Sequence, residues 1–372
     1  MKKVISAILN FLVKFLPIKE NKILFQSGRN KVDCSPYAIY RYIKDNKITK
    51  YQTMWIVEKG TDTSMLEEGD YCYYHTIKAL YHQATSHYWI RSQSIGSILK
   101  KRKGQRYIQA WHGAGNFKKS CYDITNERDK GPLPHTLEWD YYIATDEENK
   151  KAMISSVDLR VPALVLGNPD SDLMTNATDD YKKEVIKKLG LEKEKRKKIL
   201  YAPTFRDNEV DNDTLDIHIE KLGELKDYVV LLRFHPIVSG KLEGKKLPDN
   251  FINVGSYPNI EDLFLITDIL ITDYSSIIFP YMILEKKIIF YPYDMEFFTK
   301  LRGGFYLDYY NDLPGPIVNT EEELVDCVKN IDKISKKYEK KVKWFNDKYN
   351  KLNDGNASKR VMDELEKGTF DK

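Results

Sequence analysis

The chain has 372 residues, 42% of them apolar and 31% charged, with a formal charge of +4 at pH 7. That length and mixture exclude a disordered polymer and allow two domains with their own cores. So small a charge, with Lys and Arg spread throughout, gives no ground for nucleic-acid binding, although a local basic face suits an anionic membrane surface.

Four cysteines, Cys34, Cys72, Cys121 and Cys327, lie far apart with no CxxC pair. This favours reduced, mostly buried thiols in a cytosolic protein over a disulfide framework or a zinc site. The amino terminus places Lys2 and Lys3 before an apolar stretch, as a signal sequence would. Asn10 and Lys14 interrupt that stretch, no small-residue cleavage site follows, and it is too short to span roughly 30 Å of hydrocarbon. Val4, Ile5, Ile8, Leu9, Phe11, Leu12, Phe15 and Leu16 instead recur at helical spacing, and Pro17 ends the pattern. The expectation is an amphipathic helix over 1–17 that lies in a membrane interface or packs on its own protein.

From Lys22 the pattern alternates. Strands are expected at Ile23–Gly28, Thr53–Gly60, His87–Gln93 and Arg106–Gly115, helices at Tyr37–Ile43 and Thr76–Thr85, and a strand running into a helix over Asp140–Met153. This rhythm predicts a parallel sheet covered on both faces. The stretch Ala177–Lys198 contains a lysine-rich helix, expected over Asp179–Leu191, and then the charged run Glu192–Lys198; it reads as a solvated linker and sets the boundary between domains spanning 18–190 and 191–372. The second half repeats the rhythm, with strands at Lys198–Arg206, Tyr228–Pro236, Asn250–Gly255, Asp268–Ser276 and Lys287–Asp294. Thr320 and Glu323 then form a capping box for a helix carrying Leu324, Val325, Val328 and Ile331. The predicted fold class is α/β: two Rossmann-like domains facing a cleft, with an N-terminal amphipathic helix.

The chemistry collects at strand ends. In DILITDYSS (Asp268–Ser276) a β-branched apolar run stops at Thr272, Asp273, Ser275 and Ser276, where a helix is expected to start, a junction suited to an anion. A serine that merely caps the helix is the plainer reading of the same residues. The neighbouring strand ends carry Thr204 and Arg206, Arg233 and His235, and Tyr293 and Asp294. In the first half they carry His112 with Gly113, Gly115, Lys118 and Lys119. Arg, His and hydroxyl groups around a helix start suit a pyrophosphate, whereas no Walker lysine loop and no GxGxxG after a strand is present. His112 reads either as a hydrogen-bonded structural residue or as a general base; His235 is better placed to donate to a phosphate. Asp170-Ser171-Asp172 and Asp211-Asn212-Asp213 match a DxD metal pattern of a length that chance supplies, and no metal is assigned to them.

Eight motifs, WHGAGNFKK (Trp111–Lys119), GNPDSD (Gly167–Asp172), ILYAPTFRD (Ile199–Asp207), LRFHP (Leu232–Pro236 with the preceding Leu231), DILITDYSS, YPYD (Tyr291–Asp294), LRGGFYLDY (Leu301–Tyr309) and PGPIV (Pro314–Val318), occur in this order. Together they resemble the CDP-glycerol glycerophosphotransferase family, the primases and polymerases of teichoic acid and related polymers. The resemblance covers residues 105–325 with specific motifs and the rest more loosely. It implies a glycosyltransferase-B-like fold, peripheral attachment to the cytoplasmic face of the cell membrane, and no cofactor or metal. The implied reaction moves glycerol phosphate from CDP-glycerol to a hydroxyl of a lipid-linked glycan or growing polymer, releasing CMP. By the same resemblance His112 and His235 are catalytic, His112 as the base. Thr204, Arg206, Arg233, Thr272, Asp273, Ser275 and Ser276 hold the donor, and Gly113, Lys118 and Lys119 line the acceptor side of the cleft. Departures from the family pattern are Pro280 where an acid is common, Lys286-Lys287 for a Lys-Pro pair, an extra glycine in RGGF, and WHGAG in place of WHGTP. They keep open CDP-ribitol or another CDP-polyol as donor, a nucleotide-sugar glycosyltransferase, and a non-catalytic nucleotide-binding scaffold.

Overall fold

The computed structural model describes residues 2–93, 98–111, 117–125, 130–204, 206, 217–234, 240–242 and 245–372. Among them, one sheet contains β1 (Lys19–Gln26), β2 (Gln52–Val57), β3 (Tyr71–Tyr73), β4 (Ser86–Arg91), β5 (Arg106–Gln109), β6 (Tyr141–Ala144) and β7 (Ala163–Val165), in the order β3-β2-β1-β4-β5-β6-β7. The other contains β8 (Lys197–Tyr201), β9 (Tyr228–Leu232), β10 (Phe251–Asn253), β11 (Ile269–Thr272) and β12 (Lys287–Phe290), in the order β10-β9-β8-β11-β12. Every pairing within them is parallel. Each sheet therefore winds outward from its first strand and then reverses, which leaves a crevice between β1 and β4 and another between β8 and β11.

The strands are apolar without strict alternation because both faces are covered. On one side of the first sheet Phe25 stacks on Trp55 at 5.5 Å between ring centroids, with Tyr40 against both; on the other, Leu24, Trp89 and Tyr107 share a second cluster. The expected strands are present. Two more, β3 and β7, have three residues each, too few for a period-two signal. The strand expected over Arg106–Gly115 ends at Gln109, and Trp111 turns the chain with a φ of 56°.

The stretch read as a solvated linker is built into the second core instead. Its helix, Asp179–Lys188, is capped by Thr178, whose hydroxyl accepts from Tyr181 N at 3.2 Å. Val185 and the following Leu191 are buried with Leu263 and Phe264, so the lysines occupy only the outer face. The capping box forms at Thr320 and Glu323 as expected.

The two halves are laced together. Phe117 is buried in the second core against Phe279, Phe305 and Tyr309. Lys118 pairs antiparallel with Phe305, Lys119 N donates to Gly304 O at 3.1 Å, and Tyr306 OH donates to Asp123 at 2.6 Å. This approach needs Gly303: its φ is 75°, and a Cβ there would sit 2.6 Å from Thr125 N. The last helix, Ala357–Glu366, returns to the first sheet, where Val361, Met362, Leu365 and the following Phe370 pack with Ile23, Phe25 and Ile43.

The amino-terminal helix, Lys2–Leu12, continues as a single turn to Phe15. Val13 is buried against Ala84 and Leu99, with Leu9, Leu16 and Leu80 alongside. Ser6 Oγ and Asn10 Nδ2 donate to Ile98 O at 2.8 and 3.0 Å. One side thus packs on the protein, while Val4, Ile8, Phe11, Leu12 and Phe15 remain exposed, Phe15 at 74%. Among the described residues no helix is long and apolar enough to cross a membrane.

Candidate functional site

The crevice of the second sheet lies between β8 and β11. Tyr201 and Ile271 are register partners, so the residues that follow them emerge side by side. Thr272 Oγ1 donates to Ala202 O at 2.7 Å, and Thr204 N donates to Asp273 Oδ1 at 2.8 Å. These bonds latch one strand-end loop to the other.

Arg206 lies beneath the latch, 5% exposed. Its Nη1 is 2.8 Å from Asp273 Oδ2 and also donates to Thr204 O, while Nε and Nη2 donate to the two oxygens of Asp294 at 2.8 Å each. The rings of Tyr274, Tyr293 and Phe298 enclose the guanidinium at 5.0, 5.2 and 5.5 Å. Burial works to lower its pKa, but Asp273 and Asp294 outweigh that and hold it above the ordinary arginine value. Tyr274 OH donates to Asp294 at 3.0 Å and Tyr309 OH to the Asp273 carbonyl at 3.1 Å. One buried cation is matched by two carboxylates, and aromatic walls exclude water, so this cluster braces the two loops.

The hydroxyls around the brace are less committed. Thr204 Oγ1 is buried with no hydrogen-bond partner. The helix expected to begin at the serines starts instead at Ile278 and runs to Ile283, with Ile277 as its N-cap and no side-chain capping bond. The carbonyls of Ser275 and Ser276 accept from Ile278 N and Phe279 N at 3.4 and 3.2 Å, making a turn first. Ser275 Oγ accepts from Ile277 N at 3.5 Å within that turn, and neither half-buried serine hydroxyl caps the helix itself. Pro280 falls in the first turn, where a missing N–H is tolerated.

Arg233 follows β9 and its Nη1 donates to Gly255 O. Burial lowers its pKa, and Glu261 opposes that. Glu261 belongs to an acidic group of which only Asp170, in GNPDSD, fell in a motif. It stands in the first turn of the helix Ile260–Ile266, Asp170 in the first turn of Pro169–Thr175, and Asp33 at the N-cap position of Cys34–Asp45. Burial pushes Glu261 up to about 7, Asp262 and Asp33 add to this, and Arg233 opposes it. Burial likewise raises Asp170, helped by Glu261, Asp33 and Asp172, and raises the Cys34 thiol beside them. Beyond the motif that contains Asp170, the sequence signal was only that each acid sits at a helix start. Asp172, the other acid of the DxD match, accepts from Ala357 N and Ser358 N at 3.0 and 2.6 Å and so caps the last helix.

Lys118 and Lys119 lie on the segment paired with the second half, and Lys118 Nζ stands 5.8 Å from the Phe298 ring that also faces Arg206. His112, Gly113, His235 and the Asp211–Asp213 match lie outside the described residues.

The family model of CDP-glycerol:poly(glycerophosphate) glycerophosphotransferase matches residues 8–367. The chain belongs to this family. A teichoic acid poly(glycerol phosphate) polymerase of Bacillus spizizenii is 30% identical over 375 residues, covering 95% of this chain and 94% of that protein. A teichoic acid ribitol-phosphate primase of the same organism is 28% identical over 387 residues, covering 98% and 95%. A solved structure of the wall teichoic acid polymerase TagF, a histidine-to-asparagine variant with CDPG, matches with a TM-score of 0.86 at 28% identity, covering 100% of this chain and 94% of that one. The chain is thus an enzyme of the glycerophosphotransferase type with that α/β fold. In this glycerophosphotransferase the motifs YAPTFR, TDYSS and YPYD meet physically at the brace: Thr204 and Arg206, Asp273 and Tyr274, and Asp294 each come from one of them.

Proposed function

We propose that the chain is a membrane-peripheral transferase of glycosyltransferase-B-like architecture. It moves glycerol phosphate from CDP-glycerol to a hydroxyl of a lipid-linked glycan or growing teichoic-acid-like polymer. The observation that carries this reading is the β8/β11 crevice, a switch point of the kind where α/β sheets bind ligands, lined by family motifs. The acceptor oxygen forms a bond to the phosphorus bearing glycerol, the bond from that phosphorus to CMP breaks, and His112 takes the acceptor's proton.

Ser275, Ser276, Thr204, Arg233 and His235 hold the donor's pyrophosphate and offset the charge that grows on the departing CMP. Thr272, Asp273 and Arg206 position the loops that carry these groups. Gly113, Lys118 and Lys119 border the acceptor. The scheme uses no metal, so turnover is expected to survive chelation by EDTA. The exposed apolar stripe of the amino-terminal helix supports attachment to the membrane's cytoplasmic face. A domain boundary near residue 17 is part of this reading, and the second, expected near 190, is set before Asp179, whose helix packs in the second core.

CMP release is measured with CDP-glycerol, CDP-ribitol and nucleotide sugars in the presence of a lipid-linked acceptor. Release from CDP-glycerol is expected, and its loss in His112→Ala with donor binding retained. Release from CDP-ribitol alone would favour the reading suggested by the ribitol-phosphate relative. Turnover of a nucleotide sugar alone would overturn both.

A further inference from the structure

A cavity of about 860 Å³ lies between the amino-terminal helix and the first sheet. Roughly 300–1,000 Å³ is the usual size of a ligand pocket. Its walls are mainly apolar, from Ala7, Ile56, Ala79, Leu80 and Ile98, and its exposed basic residues are His75 and Lys100. On the helix, Ser6, Ala7 and Asn10 border this cavity, while Val4, Ile8, Phe11, Leu12 and Phe15 form the uncovered stripe beside it. Small residues on one flank leave the space, and the apolar stripe on the next flank faces outward.

We infer that this groove seats the hydrocarbon chain of the lipid that carries the acceptor, entering from the membrane alongside the helix, with its phosphate at Lys100. This rests on the reading that the acceptor is lipid-linked. Strand register supplies a ruler. Ile56 follows Trp55, the partner of Phe25; the next residue of β1, Gln26, pairs with Arg91, which pairs with Gln109. Three strand spacings of about 4.8 Å put the groove floor roughly 14 Å from Gln109, which precedes His112 by three residues in the sequence. A phosphate and a short glycan bridge that span. A chain anchored in the groove therefore brings its glycan toward the end of β5 instead of leaving it at the membrane surface.

The test uses the full chain and a single-chain polyene phosphate whose fluorescence rises in apolar surroundings. Wild type is expected to bind it, about fourfold more weakly for each methylene removed, from the value of about 0.8 kcal/mol per buried CH₂. Ala7→Trp fills the groove and is expected to weaken binding at least tenfold, with sedimentation on acceptor-free anionic vesicles unchanged. Lys100→Glu is expected to weaken the phosphate probe several-fold but not the matching alcohol, which guards against a folding defect in the first variant. Absence of binding by wild type, binding unaltered in both variants, or displacement by a two-chain phospholipid as effective as by a lipid-linked acceptor would each overturn the assignment. If the probe behaves as expected but no CDP donor yields CMP, the groove stands and the transferase reading falls.

Discussion

Arg206→Met removes the cation shared by Asp273 and Asp294 while keeping an unbranched side chain among Tyr274, Tyr293 and Phe298. Asp273 has a side chain only 2% exposed and Asp294 one 18% exposed, so water reaches the second better than the first. Breaking a buried ion pair by deleting one partner costs about 3–5 kcal/mol. Asp294 keeps its bond from Tyr274 OH, and Asp273 keeps its bond from Thr204 N. These retained bonds put the expected loss near 4 kcal/mol. At a urea m-value of about 3 kcal/mol/M, the unfolding midpoint followed by circular dichroism falls by about 1.3 M.

Removing the carboxylates together with the cation gives the sharper test, because no buried charge is then left unpaired. Adding Asp273→Asn and Asp294→Asn to Arg206→Met is expected to recover most of the loss. A loss under about 1 kcal/mol, or no recovery in the triple variant, would refute the brace. Unchanged stability with a raised KM for the CDP donor would assign Arg206 to direct donor contact.

Three further outcomes are expected. Glu261 has its pKa raised by burial from 4.5 to about 7, so its contribution to stability is present at low pH and is lost as pH rises through 7; Glu261→Gln should flatten the thermal-unfolding profile between pH 5 and 8. Asp172→Ala removes both acceptors at the start of Ala357–Glu366 and should cost about 1–2 kcal/mol, seen as faster tryptic cleavage after Lys351. Gly303→Ala forces a side chain into a left-handed turn against Thr125 and should cost more than about 1 kcal/mol, with faster amide exchange at Lys119, whose N–H is bonded to Gly304.

Much of the site was legible because its parts are local. A β-branched run that stops at TDYSS announces a strand end, and YAPTFR and YPYD announce two more. Their partnerships were not legible. Arg206 reads as a phosphate ligand as long as its neighbours are unknown, since nothing in YAPTFR says that carboxylates 67 and 88 residues away, at 273 and 294, hold its guanidinium. The acidic group of Asp33, Asp170 and Glu261 was invisible for the same reason. Each acid is ordinary in a helix's first turn, and only the packing of three helices raises Glu261 toward neutrality.

Hydrophobic period and punctuation by themselves determined the two α/β halves, the parallel strands, the Thr320 cap and the amphipathic amino terminus, because those signals act over a few residues. The tertiary structure decided the rest. It drew the linker's Val185 and Leu191 into the second core, returned the last helix to the first sheet, buried Phe117 across the junction, and turned the amino-terminal helix so that one apolar side packs on the protein and another stays bare. Each of these depends on which distant surface offers apolar area or an unpaired N–H, and a short stretch of sequence does not carry that information.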